Sequence, residues 1–210
     1  MAEADPNLSD AHTEKPSLQG RKAVITGGTT GIGRAIGVLL ASEGVEIFTC
    51  GRDERHLADG LHAIPGLVEA LEERVIGRGV PFLGVCVGMQ LLATRGLEHG
   101  ATEGLGWIPG EVRAIAPADP SIKVPHMGWN DVSPTPHHDG ASLIEPGEAY
   151  FLHSYHFRPD DGRDIAAMTD HGGGLVAAVA RDNIVGVQFH PEKSQDYGLA
   201  LLARFLEWNP

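Results

Sequence analysis

Residues 22 to 51 read in order as a buried strand KAVIT, a glycine turn GGTTG, a helix IGRAIGVLLASEG with apolar spacing of three and four, and a second strand VEIFTCG. Two strands joined through one helix run in the same direction, and such a crossover is right-handed. This unit constrains the chain more than any other feature, because it demands a parallel sheet with helices packed on it. The pattern continues in IPGLVEALEERVIGRG, an amphipathic helix with Pro65 near its first turn and Gly79 at its end. VPFLGV follows as a strand, and the spacing then predicts a helix from Val87 to about Arg95.

After residue 100 the character changes. GWIPGEVRAI, HMGWNDV, EAYFLHSYHF and GLVAAVARDNIVGVQFHP are short β-rich runs broken by Gly, Pro and Asp, before a last helix GLALLARFLEW. The fold class is therefore α/β, a doubly wound, mostly parallel, flavodoxin-like sheet with an antiparallel addition in the second half. Residues 1–19 are polar and aperiodic and read as a disordered tail, leaving 20–210 as a single domain. A length of 210 residues fits one well-cored domain better than two.

A net charge of −12 argues against nucleic acid or an anionic membrane as partner. The apolar stretches are too short to span a bilayer. Two cysteines, Cys50 and Cys86, cannot build a disulfide framework, which points to free thiols and a cytoplasmic setting. Eleven histidines raise the question of a metal, but no His-x-x-x-His or Cys-x-x-Cys spacing supports one, and His137-His138 reads as a solvated loop pair.

Chemistry enters at Gly84-Val85-Cys86-Val87-Gly88, a nucleophile between strand and helix with glycine two positions away on each side. A sharp, strained turn presents such a side chain, and small neighbours let the backbone close around it. The helix that begins there favours a thiolate, and its first N–H groups suit a developing oxyanion. A lone cysteine in a buried strand is the alternative. The segment GVQFHPEKS decides between them, since His190 and Glu192 stand two residues apart at a strand end and point to the same side. Nucleophile, proton shuttle and an anion to hold the imidazole are what amide hydrolysis through a thioester needs.

PFLGVCVGMQLL and GVQFHPEKS resemble the two signatures of class I glutamine amidotransferases. GLGWIPGEVRAI, KVPHMGWNDV and YFLHSYHF narrow the resemblance to the glutaminase subunits of imidazole glycerol phosphate synthases, over about Leu57 to Trp208. The resemblance implies that Cys86 attacks the glutamine amide, with His190 as base and then acid and Glu192 orienting it. It implies that Gln90 contacts the substrate and that the Ser154–Tyr155 backbone holds its α-carboxylate and amine. It also implies a (β/α)₈-barrel cyclase partner that receives the ammonia in histidine biosynthesis, with Trp129, Tyr150 and Lys193 at the docking face. No cofactor is required.

The opening residues depart from that family. Its first-strand Asp-Tyr-Gly-x-Gly-Asn-like loop and its oxyanion strand Pro-Gly-Val-Gly are absent. Val87 N–H remains as one oxyanion donor, and Gly51 is the nearby candidate for the second. Residues 22–56 instead resemble the opening of a short-chain dehydrogenase/reductase, through Thr26-Gly27-x-x-x-Gly31-Ile32-Gly33 after a strand. Gly27, Gly31 and Gly33 suit a pyrophosphate, and Arg52 with Arg34 would favour NADP over NAD. That family's catalytic Tyr-x-x-x-Lys is missing, so hydride transfer is not expected. The chain reads as a chimera. An inactive docking module and an NADP-binding module stand as alternatives to a working, though impaired, glutaminase.

Overall fold

A computed structural model describes residues 22–26, 46–50, 67–98, 100–136 and 142–210. Contacts divide the chain into two compact units, Met1–Gly51 and Arg52–Pro210. In the first unit, β1 (Lys22–Thr26) and β2 (Glu46–Cys50) pair in parallel, from Lys22 opposite Glu46 to Thr26 opposite Cys50. This is the pairing that a strand–helix–strand order requires.

The second unit opens with α1 (Leu67–Glu72), which loosens into a π-helical turn at Glu73–Gly77. It leads to β3 (Phe82–Val85) and a single helical turn, α2 (Val87–Gln90). The short strands β4 (Arg95–Gly96), β5 (Thr102–Glu103) and β6 (Gly110–Ala114) come next. Longer ones follow: β7 (His126–Pro134), β8 (Gly147–His153), β9 (Tyr155–Pro159) and β10 (Ile165–Asp170). β11 (Gly174–Arg181), β12 (Ile184–Val187) and α3 (Gln195–Glu207) complete it. Six strands form one sheet in the order β3-β12-β11-β10-β7-β8, and four form a second in the order β5-β4-β6-β9.

Among the described residues the second unit carries the antiparallel addition expected in the second half of this α/β fold. β3 runs parallel to β12 and β4 to β6, while the other pairings of the second unit are antiparallel. The connections explain it. Only Asp182 and Asn183 separate β11 from β12, and a two-residue link permits nothing but a hairpin.

The helix expected to reach Arg95 stops at Gln90, for a tertiary reason. The carbonyls of Leu91, Leu92 and Ala93 accept the N–H groups of Leu105, Ile108 and Gly106 at 2.8, 3.0 and 2.9 Å. A helix reaching Arg95 would direct Arg95 N–H to Leu91 O, which Leu105 N–H holds, and Thr94 N–H to Gln90 O, whereas Thr94 N–H donates to Gly110 O at 3.0 Å. β11 is buried along nearly its whole length and contributes to two apolar clusters. Ala177, Ala178 and Ala180 pack with Phe151, Val187, Phe189 and Leu201, while Val176 and Val179 pack with Met89, Leu92, Ile108 and Phe157. A strand covered on both faces reads as a continuous apolar run, which is why LVAAVA lacks alternation. Among the described residues no helix is long and apolar enough to cross a membrane.

Candidate active site

The end of β3 and the end of β12 lie side by side in parallel, Val85 opposite Val187, and both chains turn just beyond. Cys86 continues the ladder by donating its N–H to Val187 O at 2.7 Å. Its backbone then turns to φ 54° and ψ −107°, while its carbonyl accepts from Met89 and Gln90 N–H at 3.0 and 3.2 Å. A non-glycine residue held in so sparsely populated a region costs about 1–3 kcal/mol and needs surroundings that enforce it. Gly84 is one such requirement: a Cβ there would meet Gly88 O at 2.5 Å and Met89 N at 2.8 Å. Gly88 differs, since a Cβ on it meets nothing within 4 Å. The two flanking glycines are therefore not equivalent.

His190 follows β12, and its N–H donates to Tyr150 O at 2.8 Å. Its Nδ1 lies 2.8 Å from Glu192 Oε1, and the Cys86 thiol is the neighbour that acts most strongly on its charge. The imidazole and carboxylate meet through a 3₁₀ turn at Pro191–Lys193, not through the pleat of a strand. Buried Ser194 locks that turn, donating its hydroxyl to His190 O at 2.7 Å and accepting Tyr150 N–H at 2.9 Å. The Cys86 thiol, then the bond to Glu192, pushes the His190 pKa up to about 9 against the opposing effect of burial. Burial alone would raise the Glu192 carboxyl; the bond from His190 and the charges of His190 and Lys193 outweigh it, holding Glu192 below its ordinary value.

Gln90, on the single turn of α2, donates through Nε2 to Tyr155 O and to Gln188 Oε1, both at 3.0 Å. Gln188 in turn donates to Cys86 Sγ at 3.7 Å and is fully buried. Sequence reading passed over Gln188. The available signal was a glutamine inside the apolar run NIVGVQF, where an uncharged polar side chain needs partners. Ser154 is the exposed residue between β8 and β9, and its carbonyl accepts Ile115 N–H at 2.9 Å.

On the antiparallel β7–β8 pair, Trp129 stands opposite Tyr150 and Met127 opposite Leu152. The Trp129 and Tyr150 rings meet edge-on at 6.2 Å, and Lys193 Nζ lies 5.4 Å above the Tyr150 ring. Met127 and Trp129 are 65% and 47% exposed, and Leu152 is also exposed, so the apolar face extends past the three residues expected from sequence. Gly27, Gly31, Gly33, Arg34, Gly51 and Arg52 lie outside the described residues.

A strained cysteine at a strand–helix junction, on the strand paired with the one that leads to a carboxylate-held histidine, fits a glutaminase-type site on an α/β sheet. The chain matches the family described as glutamine amidotransferase class-I over residues 60–208, and it belongs to that family. The imidazole glycerol phosphate synthase subunit HisH of Zymomonas mobilis subsp. mobilis is 61% identical to it over 150 residues, 71% of this chain and 70% of that protein. HisH of Rhodospirillum rubrum is 56% identical over 153 residues, 72% of each. These relatives place the chain, a glutamine amidotransferase, among the HisH glutaminase subunits. In fold, it is similar to a solved glutamine amidotransferase at a TM-score of 0.61 and 18% identity, covering 88% of this chain and 97% of the other. A second, from Thermotoga maritima, gives a TM-score of 0.52 at 14% identity, covering 89% and 83%.

Proposed function

We propose that this protein hydrolyses glutamine to glutamate and ammonia at a Cys86–His190–Glu192 triad and passes the ammonia to a (β/α)₈-barrel cyclase. There it would serve imidazole glycerol phosphate synthesis in histidine biosynthesis. The observation that carries the reading is the parallel β3–β12 pair, which brings Cys86 beside the segment where the His190 ring is held by Glu192. Cys86 and Glu192 both raise the His190 pKa, which suits the ring to take the thiol proton as base and then to return it as acid. The Cys86 sulfur attacks the amide carbon, and Val87 N–H, which has no intrahelical acceptor, donates to the oxygen that becomes negative. His190 gives its proton to the departing nitrogen, leaving a thioester and ammonia. The neutral imidazole then takes a proton from water, whose oxygen displaces the sulfur and releases glutamate.

Gln90 and the Ser154–Tyr155 backbone hold the substrate in this scheme, and Trp129, Tyr150 and Lys193 meet the cyclase. No cofactor enters it. A glutaminase assay with barrel cyclase and its ligand supplied, on wild type and Cys86→Ala, tests the reading. Activity should rise on adding the partner and vanish in the variant. Activity that survives Cys86→Ala would overturn it.

A further inference from the structure

A second buried polar assembly lies against the glutamine site. His126 and His153, 3% and 7% exposed, face each other across the β7–β8 pair with His126 Nδ1 and His153 Nε2 3.0 Å apart. The neighbouring groups determine every proton in this contact. His153 Nδ1 lies 2.8 Å from Tyr155 O, a carbonyl that only accepts, so Nδ1 carries the hydrogen. A neutral ring then has a bare Nε2, which accepts from His126 Nδ1–H. His126 Nε2 is bare in its turn and accepts from Asn130 Nδ2 at 3.0 Å. The Asn130 orientation is set independently: Nδ2 also donates to Asp170 O at 2.6 Å, and Oδ1 accepts Asp131 N–H at 2.9 Å. His126 is stacked between Phe151 at 4.6 Å and His171 at 4.3 Å. Burial, the largest cause for both rings, lowers His126 to about 3 and His153 to about 4, so both are neutral over the working range.

The chain of bonds ends on a carbonyl that also accepts Gln90 Nε2–H. Tyr155 O is thus the joint between the nucleophile's helical turn and the ribbon carrying Trp129. We propose that the His126–His153 pair is a positioning element of the glutamine pocket. It holds the Tyr155 carbonyl, and with it Gln90 and the Ser154–Tyr155 peptide, where glutamine binds. Two satisfied core histidines would otherwise be a costly way to fill space that apolar side chains fill well. The proposal rests on the glutaminase reading above.

The test uses the full chain with barrel cyclase supplied, and measures how glutamine protects Cys86 from iodoacetamide, followed by peptide mass. An asparagine amide overlays the Nδ1 side of an imidazole, so His153→Asn keeps the donor to Tyr155 O, whereas His153→Phe and His153→Gln lose it. The half-protecting glutamine concentration should rise about tenfold in the latter two, the scale of one buried hydrogen bond left unmade, and stay within about twofold in His153→Asn. Protection in His153→Phe equal to wild type, or an equal loss in His153→Asn, would overturn the proposal. Failure of glutamine to protect the wild type would instead sink the glutaminase reading on which it stands. Should His153→Phe not fold, nitrogen NMR of the wild-type imidazoles decides the matter. Both rings should carry their hydrogen on Nδ1, and an Nε2–H tautomer at His153 would refute the proposed bonding.

Discussion

Cys86 combines backbone strain with a sulfur that raises the His190 pKa and is approached by the Gln188 amide, so its neighbours can be tested one at a time. Glu192 is the second largest cause of the raised His190 pKa. Replacing it by Gln removes the charge and should move the alkaline limb of kcat/KM to lower pH than in wild type, where activity falls as His190 deprotonates near about 9. An unmoved limb in the pH profile would show that Glu192 does not set the protonation of His190. The two glycines of the elbow offer a separate test. Gly84→Ala drives a methyl onto backbone, which overpacking data put at about 1–3 kcal/mol. Gly88→Ala points into open space and should stay within about 0.5 kcal/mol. Urea denaturation of the pair reads the difference, and equal losses would contradict the close approach at Gly84.

At the scale of elements, the β7–β8 pair carries the two neutral histidines, and this gives it a pH signature. Both folded-state values lie below the ordinary 6.5. A group depressed in this way contributes stability above its unfolded value and loses it as pH falls through the folded one. The stability that His126 and His153 supply should therefore be full above about pH 6.5 and decline toward pH 4 and then pH 3. His171 and His153 flank His126, while His156, His171 and His190 approach His153, so mutual repulsion adds to burial as they charge. His190 has the opposite sign: its raised value contributes stability below about 6.5 that is lost as pH rises through about 9. Melting temperature should fall with acid between pH 6.5 and 4, and His126→Phe should flatten that slope. A slope identical in wild type and variant would mean that His126 is not the group being protonated.

For the whole molecule, the family match covers residues 60–208. A tetrahedral intermediate is best held by more than one preorganised donor, and the proposed chemistry assigns Val87 N–H as one. The Pro-Gly-Val-Gly strand that would give the second is missing from the sequence. Loss of one such donor costs about 10²–10³ in kcat. Turnover should therefore fall short, by about that factor, of the Zymomonas mobilis HisH relative assayed with the same partner and ligand. Thioester formation at Cys86 should still be detectable by mass. A kcat equal to the relative's would show that the substituted segment, Gly51 included, supplies the donor.

The primary structure by itself held the chemistry. A cysteine between glycines at a strand end, a His-Pro-Glu turn and the β-rich second half were legible because each is a local pattern. Turn residues, periodicity and one short spacing encode them. The parallel pairing of β1 with β2 was legible for the same reason, since strand–helix–strand order admits it without knowledge of the rest. What only the tertiary structure decided are partnerships between residues far apart in the chain. The helix after Cys86 ends at Gln90 because Leu105 takes Leu91 O and Thr94 N–H turns to Gly110 O. Gln188 reaches both Gln90 and Cys86, about a hundred residues away, because β3 and β12 run in register. His126 meets His153 because the β7–β8 register sets them opposite. Local sequence states which faces are apolar, but a hydrogen bond has direction and a length limit near 3 Å. Its partners are chosen only when the strands have aligned.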